Sequence, residues 1–144
     1  MRFPVHVNLV VVGIEAYKPE GLELGVIKTS EGLSLAGIEL ERGKKSSEIA
    51  FQLVKKYIDM ESFDRNLFLF SPTGFIDAPN RYKIAGRTDD VFHQDIVLVY
   101  KAVVPLNTSL QNGMEWMVLE KDDERPNPFC KDHLNIIDMA FQHG

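Results

Sequence analysis

The residues able to hold or transform a ligand lie along this chain in small groups, of which the first is basic. Gly43-Lys44-Lys45-Ser46 sets two ammonium groups and a hydroxyl beside a glycine, the ingredients of a phosphate-binding loop. The spacing excludes that loop: five residues instead of four separate Gly37 from Gly43, and Lys45 stands where a Ser or Thr is required. Arg87, Asp89, Asp90 and Gln94 gather donors and acceptors in one short segment, which reads as a candidate ligand loop against the plainer reading of a solvated polar turn. Asp132-His133 can contact a ligand or simply cap a helix. His6, His93, His133 and His143 show no HxxxH or HExxH spacing, so no zinc site is expected. Cys130, the single cysteine, excludes an internal disulfide and has no nucleophile signature around it; it reads as an inert thiol. Trp116 and Phe129 read as core or dimer-contact residues rather than a base-stacking platform.

Something must position these groups, and the composition bounds what it is. A chain of 144 residues with 44% hydrophobic content is long enough for one domain with its own core, and no Ser/Pro/Gly-rich stretch divides it. A single domain over 1–144 is the expectation. The formal charge of -5 is interspersed and lacks a basic footprint, so nucleic acid is not an expected partner. No apolar run approaches the ~20 residues of a membrane span and no signal-cleavage pattern opens the chain; no membrane partner and a cytoplasmic location are expected.

Periodicity gives the elements. Val5–Ile14 and Leu22–Thr29 read as strands joined by a turn over Lys18-Pro-Glu-Gly21, and Leu33–Leu40 reads as a third. Ser46 or Ser47 caps a helix in which Ile49, Leu53 and Tyr57, and likewise Ala50, Val54 and Ile58, recur at i, i+4, i+8. Glu48, Gln52, Lys55 and Lys56 remain for solvent. Further strands are predicted at Leu67–Phe70, Tyr82–Ala85, Ile96–Val104 and Glu115–Leu119, and a closing helix over Asp132–Gln142. Ile96–Val104 is almost continuously apolar, as a strand covered on both faces would be, and is the candidate for the sheet's centre.

The stretch from Leu33 to Met60 resembles a Nudix box. In the register set by Leu35-Ala36-Gly37-Ile38 it runs to Met60 without a gap. The box glycine then falls on Ile38, its first glutamate on Lys44, its arginine on Gln52, its helix glutamates on Leu53, Lys56 and Tyr57, and its late glycine on Asp59. Only the apolar positions Val54 and Met60 agree. Three weaker likenesses follow in the order the ADP-ribose-type branch has them. They are Gly86–Tyr100 with Asp90, Glu115-Trp116-Met-Val-Leu119, and Phe129-Cys-Lys-Asp132-His133-Leu-Asn-Ile-Ile137. The resemblance implies an α/β (α+β) fold, the Nudix α/β/α sandwich with a mixed sheet.

It also implies what has been lost. Box carboxylates at i, i+3 and i+4 share a helix face and hold magnesium, a hard cation that needs oxygen ligands, against a diphosphate. Leu53 and Tyr57 offer none, and Lys56 brings a positive charge. The expectation is therefore a catalytically degenerate Nudix-like domain, with no catalytic residue, metal or cofactor assigned. It would bind a nucleotide or nucleotide-sugar phosphate as a sensor or regulatory subunit. Lys44, Lys56, Glu41, Arg87, Asp90, Gln94, Asp132 and His133 are the candidate ligand residues. Lys44 and Lys56, both at glutamate positions of one cleft, would hold phosphate directly. Two alternatives stand beside it: a hydrolase drawing metal ligands from Glu41, Glu48, Asp89, Asp90 or Asp95, and a structural protein-interaction module. The branch's regulators carry a winged-helix domain for which this chain has no room after its last helix. The resemblance further implies a homodimer, and the apolar run Leu9-Val10-Val11-Val12 would supply an edge in need of a partner.

Overall fold

The computed structural model describes residues 5–15, 18–30, 32–79 and 94–118. Among the described residues, seven strands form one mixed sheet around β1 (Val5–Glu15). On one side, β1 runs parallel to β6 (Gln94–Pro105), in register from Val5 opposite Ile96 to Ile14 opposite Pro105. On its other side it meets β4 (Ala36–Glu39) over His6–Leu9 and β2 (Lys18–Thr29) from Val12 onward, both antiparallel. Beyond β6 lies β5 (Leu69–Pro79); beyond β2 lies β7 (Met114–Val118), while β3 (Gly32–Ser34) pairs with the end of β2 on the side that faces β1. The expected third strand, Leu33–Leu40, is thus two short ones broken at Leu35, because the chain crosses from β2 as a neighbour to β1.

The helix α1 (Ser46–Tyr57) packs on this sheet over β1, β4 and β6. Ile49, Ala50, Leu53 and Val54 are buried in it, and Ile58 just beyond. They meet Val7, Leu9 and Val11 of β1 and Tyr100, Ala102 and Val104 of β6 in one core cluster. The alternate residues of β6 are buried as well, Val97 and Val99 among them, so β6 is an interior strand covered on both faces. Burying each such aliphatic side chain contributes about 1.5–3 kcal/mol, which is why the helix holds its place against the cost of ordering it.

Several local expectations change. Lys18–Gly21 lies in β2 rather than in a turn, and Lys18 already pairs with Glu15 of β1. Neither Ser46 nor Ser47 caps α1. Its N-cap is Lys45, with no side-chain bond, while the Ser46 hydroxyl lies 2.7 Å from that of Tyr100 and ties the helix to β6. The strand expected at Leu67–Phe70 begins at Leu69, after a 3-10 turn over Arg65–Leu67, and continues past Pro72 and Gly74. A bulge between those two absorbs the irregularity, and an outer position in the sheet tolerates a residue without an N–H.

The apolar run of β1 is not an edge. It is paired on both sides, and Val7 to Val12 are all within 3% exposure, so the chain covers this strand itself. The reasoning that sought a partner there fails. Among the described residues no helix is long and apolar enough to cross a membrane. The strand expected at Tyr82–Ala85 and the helix expected at Asp132–Gln142 lie outside the described residues.

Candidate functional site

The segment that resembles the box forms β4, the loop Leu40–Lys45 and α1. Its start is rigid. The Asn8 amide, buried in β1, donates to the Ala36 carbonyl at 3.1 Å, and a Cβ on Gly37 would collide with the Asn8 Nδ2. Gly43 turns the loop at φ 85, a conformation that other L residues rarely adopt. The Lys44 amide donates to the Glu41 carbonyl at 3.3 Å, and the two side chains pair at 3.2 Å. Both are substantially exposed, so the pair is screened and the Lys44 ammonium remains open to solvent anions.

Lys56 sits at the other end of α1. Its ammonium lies 5.1 Å from the centre of the Tyr57 ring, as that of Lys55 lies 5.5 Å from Phe51. A helix of twelve residues is about 18 Å long, so Lys44 and Lys56 cannot grip the same phosphate. The structure brings Glu41 to Lys44 and leaves Lys56 apart from both. Gln94 is the first residue of β6, paired with Pro79. Arg87, Asp90, Asp132 and His133 lie outside the described residues.

In the register of the resemblance, Leu53, Lys56 and Tyr57 stand where the box has glutamates. Leu53 is 5% exposed and belongs to the core cluster. Tyr57 is half-buried against the same cluster, and Lys56 alone is exposed. Leu53 therefore spends its side chain on packing, and a carboxylate there would have to be desolvated. Among the described residues, no group of three or more His, Cys, Asp or Glu side chains could hold a metal ion.

A feature that sequence reasoning missed braces this end of the helix. The loop between β6 and β7 closes over the C-terminus of α1: the Gln111 Nε2 donates to the Lys55 carbonyl at 3.2 Å, Asn112 Nδ2 to that of Lys56, and the Gln111 N–H to that of Tyr57 at 2.9 Å. With the Ile58 N–H on Val54, all four terminal carbonyls have donors. The signal was the amide pair Gln111-Asn112 followed by Gly113, which marks a turn in sequence but not its target.

No protein-family model matches the sequence, and no curated protein matches it. Solved structures do. The Nudix domain of Shewanella oneidensis NrtR, in a cocrystal with ADP-ribose, matches with a TM-score of 0.67 and 13% identity over 99% of this chain and 88% of that one. A MutT/nudix family protein from Enterococcus faecalis matches with 0.67 and 13% over 99% of this chain, which spans 62% of that protein. The C-terminal domain of mouse MUTYH, from its complex with human PCNA, matches with 0.65 and 11% over 99% and 90%. At such identities the likeness concerns the fold. The chain has a Nudix-like fold, in its described residues a seven-stranded mixed sheet with a helix packed on it.

Proposed function

We propose that this chain is a Nudix-like domain that binds a nucleotide or nucleotide-sugar phosphate without hydrolysing it, in a sensor or regulatory role. The observation that carries the reading is Leu53: at a position where the box has a metal-binding glutamate, the side chain is core. Without that carboxylate and its neighbours, magnesium lacks the box's own anchors on α1 against which to polarise a diphosphate. The exposed Lys44 offers a cation to phosphate at the start of the helix, and Lys56 a second one at the far end. A ligand whose charge is gathered on one diphosphate, as in ADP-ribose, would engage Lys44 or Lys56 but not both at once. The ADP-ribose bound to the NrtR Nudix domain makes this ligand class the first to try.

The test is a thermal-shift series with ADP-ribose and related nucleotides, each with magnesium and with chelator. Stabilisation that is independent of metal and weakened by salt supports the reading. Stabilisation by a nucleotide only when metal is present points instead to a hydrolase that gathers ligands outside the box. A protein-interaction role is the second reading, favoured by the MUTYH domain's occurrence in a complex with PCNA. A flat response to every nucleotide would move the reading there.

A further inference from the structure

We propose that Asn112-Gly113 is a site of spontaneous deamidation, and that its product uncaps α1 and so loosens the end of that helix irreversibly. Of the seven asparagines in the chain, Asn112 alone precedes a glycine, the neighbour that leaves its backbone nitrogen least shielded as a nucleophile. The turn asks for this pair. The Met114 N–H donates to the Gln111 carbonyl at 3.3 Å around Asn112 at φ 56 and Gly113 at φ 88, the left-handed values of a type I′ turn, which Asn-Gly adopts most readily. Both residues are exposed, and a Cβ built on Gly113 would meet nothing within 4 Å, so water and base reach the dipeptide. The Gly113 N–H has no acceptor among the described residues.

The reaction needs only water and a base. Base takes the Gly113 amide proton, the nitrogen bonds to the side-chain carbonyl carbon of Asn112, and the bond from that carbon to Nδ2 breaks, releasing ammonia and leaving a succinimide. Water then opens the ring at either carbonyl to give aspartate or isoaspartate, with no change of oxidation state. Nδ2, the nitrogen that leaves, is the atom that donates to the Lys56 carbonyl in the intact chain. Either product replaces that donor by a carboxylate that has none, at a helix end whose carbonyls already carry partial negative charge. Isoaspartate also routes the backbone through the side chain and lengthens it by a methylene just ahead of Met114, which is buried and pairs with Ile27 where β7 begins. Because the Lys56 carbonyl holds the side chain, the reaction proceeds when the loop lets go, and its rate reports that opening. It needs no ligand, so the inference stands or falls apart from the binding reading.

The experiment incubates the purified chain for days in mildly alkaline and in mildly acidic buffer and follows it by ion exchange and peptide mass spectrometry. A species more negative by one charge than the formal -5 of the intact chain should accumulate, faster in alkali, with the amide-to-acid mass change in the peptide that contains Asn112 and none at Asn8, Asn66 or Asn107. Asn112→Gly, which keeps the turn, should abolish it. In hydrogen exchange, the isolated product should exchange the amides of residues 55–58 roughly fivefold faster than the intact chain, the factor set by one net hydrogen bond, with those of β1 unchanged. Asn112→Asp should do the same. A folded chain that stays intact while the urea-unfolded chain deamidates at Asn112, or a deamidated chain whose α1 amides exchange at the unmodified rate, would overturn the proposal. The isolated product decides the matter even if Asn112→Asp does not fold.

Discussion

Replacing Leu53 by alanine asks whether this helix position faces a core or a cleft. The side chain is 5% exposed among Ile49, Val54 and the sheet residues beneath. Three carbons are removed, a transfer loss of about 2.4 kcal/mol at ~0.8 per buried methylene, and the cavity left behind brings the expected cost to about 3 kcal/mol. For a chain of this length that lowers Tm by roughly 10 °C. Urea unfolding followed by circular dichroism should show the midpoint falling with an unchanged slope. Lys56→Ala, three residues on and exposed, is the internal control and should stay within about 0.5 kcal/mol. If Leu53→Ala costs less than about 1 kcal/mol, residue 53 faces open solvent, and the argument that the metal face has been spent on packing collapses.

Three other outcomes follow from single contacts. Asn112 holds φ 56 and its amide serves the Lys56 carbonyl, so Asn112→Ala loses both and should cost about 1–2 kcal/mol, whereas Asn112→Gly keeps the backbone and should cost less; equal losses in urea unfolding would refute the left-handed argument. Thr108 is buried and its hydroxyl has no partner among the described residues, so Thr108→Val should raise stability by about 1 kcal/mol, and a loss measured by the same unfolding would mean the hydroxyl is bonded. Glu41→Ala breaks only an exposed pair with Lys44 and should change stability by less than about 0.5 kcal/mol, while freeing that ammonium to bind phosphate more tightly by calorimetry.

The helix and the interior strands were legible because burial writes a period into sequence. Ile49, Leu53, Ala50 and Val54 recur at helical spacing, and they are the residues that α1 buries. The unbroken apolar runs of β1 and β6 likewise mark strands covered on both faces. What stayed hidden was pairing. No local pattern reveals that Val5–Glu15 is enclosed by β6, β4 and β2, and so its run read as an edge. Pro72 and Gly74 concealed most of β5, since a bulge in an outer strand looks in sequence like a loop. The site was half visible. Helical periodicity placed Leu53 on the buried face of α1, but the distance between Lys44 and Lys56 depends on helix length and orientation, which spacing along a consensus does not convey.

The most direct test of the account is a phosphorus NMR spectrum of ADP-ribose incubated with the purified chain and magnesium, then repeated after chelation. The account predicts that the diphosphate resonances persist for hours in both samples, and that adding the chain broadens them in each. New phosphomonoester resonances that appear only with magnesium would contradict it.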